Sequence, residues 1–146
     1  MITTDEKILR QPSKEFDGTF KELDEIVEKM KEAMKENNGI GIAAIQIGIP
    51  YRIFLAGDPV EIFINPKIKQ RSPYEKTDYE ACLSCENTHV RIKRPSYIVM
   101  EYFTVENNKT IKKTRKFKDF DARVVLHEFD HLNGFLITDR GKVYRP

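Results

Sequence analysis

Cysteine is scarce in this chain: its 146 residues hold two, Cys82 and Cys85. Two thiols so close together cannot form the spaced framework that staples a small secreted domain, and they suit a reducing compartment. An excess of one charge is also lacking. The net charge of +2 is too small to argue for a nucleic-acid partner. No apolar run approaches the roughly 20 residues that a membrane-spanning helix needs. The opening Met1-Ile2-Thr3-Thr4-Asp5-Glu6 has no basic region followed by an apolar core, so no signal peptide is visible. Linkers, repeats and low-complexity tracts are missing too. What is left is one domain over residues 1–146, long enough to bury a real core. Charged residues at 33% and hydrophobic ones at 40% suit a globular protein. A cytoplasmic enzyme or binding protein, acting away from membranes, is expected.

The stretch around which the chain is organised is Leu126-His127-Glu128-Phe129-Asp130-His131-Leu132-Asn133-Gly134. It contains H-E-x-x-H. On a helix, residues four apart share a face, so His127 and His131 can offer two imidazoles to one metal ion. Glu128 would stand beside that ion, placed to take a proton from a water held there. Phe120, Val124, Val125 and Leu132 make much of this helix apolar, which predicts deep burial. A buried helix does not carry two histidines and two acids without partners, and a metal supplies one. The helix is predicted over 120–132, with Asp119 or Asp121 as N-cap and Asn133-Gly134 as its stop.

Elsewhere, residues 1–18 read as irregular, with Pro12 and Gly18 as breakers. Phe20, Leu23, Ile26, Val27, Met30 and Met34 recur at helical spacing, a core-facing stripe capped by Asp17 or Thr19 and ended by Asn38-Gly39. Tyr51–Ala56 and Glu61–Asn65 read as strands, punctuated by Gly57-Asp58-Pro59 and Asn65-Pro66. Asp78–Ser84 fits neither period. Tyr97–Val105 and Thr110–Phe117 flank Glu106-Asn107-Asn108-Lys109 as a hairpin. Its second strand carries Lys112, Lys113, Arg115 and Lys116, read as solvated charges guarding a sheet edge. A helix, several strands and a second helix, in that order, predict an α+β domain with antiparallel sheets around the H-E-x-x-H helix.

A catalytic site of this kind needs three protein ligands and one open position. The downstream pattern H-E-x-x-H-x-x-G-x-x-H fits as far as Gly134 but meets Ile137 where histidine is required, and Asp139 is the only later acid. Cys82, Cys85, His89 and several carboxylates remain upstream, a thiolate being the better soft ligand. His89 itself reads as an ordinary strand-end histidine. Cys82-Leu83-Ser84-Cys85 also admits a redox dithiol, but without a thioredoxin-like strand-to-helix context. A closed Cys₂His₂ structural site is another rival, and it would leave Glu128 without a use. Gly39-x-Gly41-x-x-Ala44, with Glu61 downstream, imitates a dinucleotide fingerprint. It follows a helix and runs toward a strand, the reverse of what that motif needs.

Three segments together resemble the peptide deformylases, whose motifs are G-x-G-x-A-A-x-Q, E-G-C-L-S and Q-H-E-x-D-H. Here they stand as Gly39-Ile40-Gly41-Ile42-Ala43-Ala44-Ile45-Gln46, Glu80-Ala81-Cys82-Leu83-Ser84 and Leu126-His127-Glu128-Phe129-Asp130-His131, in the family's order. The resemblance implies that Cys82, His127 and His131 bind one divalent metal, natively Fe²⁺, with Zn²⁺, Ni²⁺ or Co²⁺ as substitutes. It implies Glu128 as general base and later general acid, with Gln46 and the Leu83 backbone N–H as the oxyanion hole. Ile40 and Gly41 would lie along a bound peptide that adds as a strand. The implied substrate is the N-formyl-methionine end of a nascent polypeptide, and the products are formate and a free amino terminus. Glu80 and Asp130 are expected to orient imidazole or pair with an arginine.

The chain departs from the family pattern at several places. Ala81 replaces glycine beside Cys82, either strained there or crowding the substrate groove. Leu126 replaces glutamine before His127. Cys85 and Glu86 stand where an aliphatic residue and proline are usual. Arg123 falls near the methionine side-chain pocket. The family's long C-terminal helix is lacking, so ribosome contact is expected to be weak and the chain monomeric. A bacterial or virally infected bacterial cytoplasm is implied, with an organelle left open. The alternative from another class is a catalytically silent relative that holds peptides, against which intact Glu128, Gln46 and Cys82 argue.

Overall fold

The computed structural model describes residues 2–144. The stretch 1–18, expected to be irregular, holds one helical turn, α1 (Glu6–Leu9), begun by Asp5, whose carboxylate accepts the Lys7 N–H at 2.9 Å. The amphipathic stripe forms α2 (Phe20–Glu36). Of its two candidate caps Thr19 is used, its hydroxyl accepting the Glu22 N–H at 3.2 Å. Asn38, at a left-handed φ of 54°, and a bond from the Gly39 N–H to the Met34 carbonyl end the helix where Asn38-Gly39 predicted.

Then come β1 (Gly41–Ala43), β2 (Ile53–Ala56), β3 (Glu61–Arg71), β4 (Glu75–Cys82), β5 (Cys85–Pro95), β6 (Tyr97–Glu106), β7 (Lys109–Lys118), α3 (Asp119–Leu132) and β8 (Gly141–Tyr144). All ladders are antiparallel, in one sheet of order β1-β2-β3-β6-β7 and another of order β4-β5-β8. The class is α+β, as expected. The apolar run Ile53-Phe54-Leu55-Ala56 shows why the large sheet is a middle layer. Ile53 and Leu55 join Leu23, Val27 and Met30 of α2, while Phe54 and Ala56 join Val125 and Leu126 of α3. Phe63 lies between Phe54 and Tyr102, its ring centroid 4.4 Å from each. Burying each such side chain is worth about 1.5–3 kcal/mol, so α3 rests on a stiff aromatic floor.

The structure corrects or extends the expected reading at four places. Asn65-Pro66 does not end β3. The register shifts there instead, with Asn65 at φ 50° and its side-chain amide bonded to both the N–H and C=O of Phe16 at 2.8 and 2.9 Å. A side chain has taken over the pairing that proline could not make. The short tail after Asp139 becomes β8, paired with β5. The basic residues of β7 do guard an edge, but they are paired: Lys112 lies 3.2 Å from Glu101, Lys113 lies 2.6 Å from Glu106, and Arg115 pairs with Glu61. Neither Asp119 nor Asp121 caps α3. The N-cap is Lys118, without a side-chain bond, and both acids stand in the first turn, where negative charge offsets the helix dipole.

The unassigned segment 78–84 runs along β4 into a tight turn to β5. The β6–β7 link narrows to Asn107-Asn108, both left-handed at φ 51° and 60°, as a two-residue primed turn requires. Among the described residues, no helix is long and apolar enough to cross a membrane.

Candidate metal centre

Helix α3 distributes its residues by face. Ala122, Val125, Leu126 and Leu132 enter the core, so Leu126 serves ordinary packing. Phe120, expected there too, is 64% exposed at the cavity rim instead. Arg123, His127 and His131, four apart, share the opposite side. Gly134, at φ 78°, ends the helix where a Cβ would lie 2.4 Å from the Arg10 carbonyl oxygen.

Three elements converge on this side. Cys82 closes β4 with its Sγ 3.4 Å from His131 Nε2. His127 Nδ1 lies 2.9 Å from Glu80 Oε1, which leaves Nε2 free for a ligand. One donor atom from each of Cys82, His127 and His131 falls within 4.8 Å of the others, the group among the described residues that could hold an ion. His131 Nδ1 and Glu128 Oε1 are buried without a protein partner. One sulfur and two imidazoles fit a borderline transition-metal ion, and three ligands leave a position open.

Cys85 pairs with Cys82 across the turn but lies outside this group, and His89 sits within β5 on its exposed face rather than at a strand end. The hydrogen bond from Cys82 lowers Cys85 to about 7, whereas that contact and burial together raise Cys82. Burial pulls His131 down to about 3, assisted by the charges of His127 and Arg94, which keeps its ring neutral and able to ligate.

Burial pushes Glu128 up to about 7; His127 opposes this, and the charges of Glu80 and Asp130 add to it. Gly41 of β1 permits the close approach: a Cβ there would lie 2.6 Å from Glu128 Oε2. Gln46 stands in the 3₁₀ turn Ala44–Ile47, and its amide is oriented by its partners. Its Oε1 accepts the Ala43 N–H at 3.0 Å, so Nε2 faces the site, donating to Ser84 Oγ at 3.1 Å and lying 3.7 Å from Cys82 Sγ.

Behind the ligands lies a buried charge network. Arg94 donates to Glu80 through Nε at 2.6 Å and Nη2 at 2.8 Å, and to Asp130 through Nη1 at 2.9 Å. Arg140 holds the other side of Asp130 at 2.9 and 3.1 Å. Burial alone would raise Glu80, but Arg94 and His127 hold its carboxyl down at about 2. Glu80 thus bonds the His127 ring and Arg94, and Asp130 bonds Arg94 and Arg140. Arg94, Arg140 and Ser84 were missed. For Arg94 a signal existed: it continues the buried alternation Val90, Ile92 along β5, and an arginine there requires carboxylates. Arg94→Ala would remove the cation that Glu80 and Asp130 share, leaving Arg123 on the one and Arg140 on the other. It should cost about 1.5–3 kcal/mol, the scale of a hydrogen bond to a charged group, measurable by urea unfolding.

A cavity of about 360 Å³ opens beside these groups, walled by Ile40, Gly41, Ala81, Leu83, Phe120 and Arg123. β1 lies at the edge of its sheet here. Ala81 is not among the residues with positive φ, so its methyl group is an unstrained part of the wall.

Known proteins resemble this chain in both sequence and fold. The sequence profile of the family described as "Polypeptide deformylase" matches residues 1–145. Peptide deformylase 1 of Clostridium perfringens is 38% identical over 139 residues, 92% of either chain. A peptide deformylase of Finegoldia magna is 36% identical over 138 residues, covering 91% of this chain and 83% of its own. The crystal structure of a probable peptide deformylase from Synechococcus phage S-SSM7 superposes with a TM-score of 0.88 at 34% identity, covering 96% of this chain and 98% of that one. That of the Thermotoga maritima peptide deformylase gives 0.89 at 34% identity, covering 97% of both.

Proposed function

Because the chain belongs to the polypeptide deformylase family, and so removes the N-formyl group from nascent peptides, we propose that Cys82, His127 and His131 hold the divalent metal this hydrolysis uses. Fe²⁺ is the proposed native ion, with Zn²⁺, Ni²⁺ or Co²⁺ able to replace it. The observation that carries this is the convergence of those three donor atoms within 4.8 Å, beside a buried carboxylate. When bound, the metal supplies the Lewis acidity that makes water nucleophilic near neutral pH.

The chain's own residues do the rest. Glu128 takes the proton as water oxygen attacks the formyl carbon, then returns it to the nitrogen as the C–N bond breaks. The products are formate and a free amino terminus. Burial raises this carboxyl above the usual carboxylate range, which favours a group that both takes and returns a proton. Negative charge gathers on the formyl oxygen, and Gln46 Nε2 with the Leu83 backbone N–H donates to it. Gln46→Ala should therefore lower kcat about 10²–10³-fold with metal content unchanged; an unaltered kcat would remove Gln46 from this role. Ile40 and Gly41 present the edge of β1 to the extended substrate, which adds as a strand, and Ala81 and Arg123 wall the cavity that takes its first side chain. The same reading puts the protein among nascent chains in the cytoplasm.

The test is formate release from a short formyl-Met peptide by protein prepared without oxygen and loaded with Fe²⁺ or Ni²⁺. Turnover that depends on the metal supports the proposal. A full metal complement without turnover would leave a peptide-binding relative.

A further inference from the structure

Arg123 lies one helical turn before His127, and from sequence it fell beside the pocket for the substrate's side chain. Its guanidinium is committed elsewhere. Nη1 donates to Glu80 Oε2 at 2.7 Å and to the Ile92 carbonyl at 3.1 Å, and Nη2 donates to the Lys76 carbonyl at 2.8 Å. Lys76 belongs to β4 and Ile92 to β5, so one side chain of α3 is bonded to both strands of the hairpin that carries Cys82. Glu80 gives its other oxygen to His127 Nδ1 at 2.9 Å and is gripped by Arg94 at 2.6 and 2.8 Å.

The candidate ligands come from two separate elements, Cys82 from β4 and the histidines from α3. Their mutual geometry depends on what ties those elements together. Arg94 makes one such tie, from Glu80 to Asp130 near the end of α3, and Arg123 makes a second, one turn before His127. We propose that Arg123 is a positioning residue for the metal centre. Acting through Glu80, it fixes the His127 ring and holds α3 against the strand of Cys82, rather than selecting a substrate side chain by charge. This rests on the assignment of Cys82, His127 and His131 as ligands. It also implies that lysine is a poor substitute, since a single ammonium cannot meet a carboxylate and two carbonyls with a planar fork.

The test is zinc affinity of the full chain, measured by competition with a chromophoric chelator, in a cycle of Arg123→Met, Glu80→Gln and the double variant. Arg123→Met should weaken zinc binding about 10–100-fold, as loss of a group that orients a ligand does. In the Glu80→Gln background the same substitution should add little, because both act on one path. Arg123→Lys should recover only a small part of the loss. A merely structural arginine would lower the thermal midpoint of the protein without this non-additivity. Parental zinc affinity in a folded Arg123→Met protein, or losses that multiply in the double variant, would overturn the proposal. If Arg123→Met does not fold, Arg123→Lys carries the same cycle. A parent chain that binds no zinc would overturn this proposal and the ligand assignment together. Zinc binding without formate release would overturn only the deformylase mechanism.

Discussion

Glu128→Ala should hold its metal as tightly as the parent chain and release formate about 10²–10⁴-fold more slowly, the range expected when a positioned general acid–base is removed. The separation of the two effects follows from position. Glu128 is not one of the three clustered donors, so its loss leaves Cys82, His127 and His131 in place. Its Oε1 is buried and free of any protein partner, so nothing structural consumes the oxygen that would accept a proton. It approaches Gly41 closely enough that a Cβ there would press on its carboxylate. Metal content by atomic absorption, set beside formate release, measures both halves. A fully active Glu128→Ala protein would refute the assigned mechanism.

Cys82→Ala should lose metal and turnover together, whereas Cys85→Ala should keep both. The thiolate of Cys82 is the softest donor of the group, and two histidines alone hold a transition metal weakly. Cys85 faces Cys82 across the turn yet stands outside the donor cluster. Cobalt substitution reads the difference directly, through the intensity of the thiolate-to-cobalt charge-transfer band. One thiolate predicts a band abolished by Cys82→Ala and unchanged by Cys85→Ala. A band reduced to half in Cys85→Ala would mean a closed two-cysteine site and no room for substrate.

The helix that carries His127 and His131 was legible because its information is local. His127 and His131 are four apart, and Asn133-Gly134 stops the helix at a position where only glycine fits, all within one short segment. The α2 stripe and the β6–β7 hairpin were legible for the same reason, since period and turn chemistry need no distant partner. The third proposed ligand was different. Spacing alone left Cys82, Cys85 and His89 open, and only the motif resemblance chose among them; the fold separates them by register, placing Cys82 at the end of β4 and His89 on the outer face of β5.

The tertiary structure alone decided what surrounds the proposed ligands. The resemblance placed Arg123 near the side-chain pocket, and it does line the cavity, but only the fold shows that β4 and β5 supply the oxygens that take its guanidinium. Phe120 looked like core and lies at the cavity rim. Arg94, Asp130 and Arg140 meet across chain separations of 36 and 10 residues. A buried charge is tolerable only where opposite charges arrive from other elements to satisfy it, and no local pattern reports that arrival. Sequence by itself determined which helix carries the imidazoles and the acid beside them; the packing of α3 against the small sheet decided how they are held, because that depends on contacts between segments far apart in the chain.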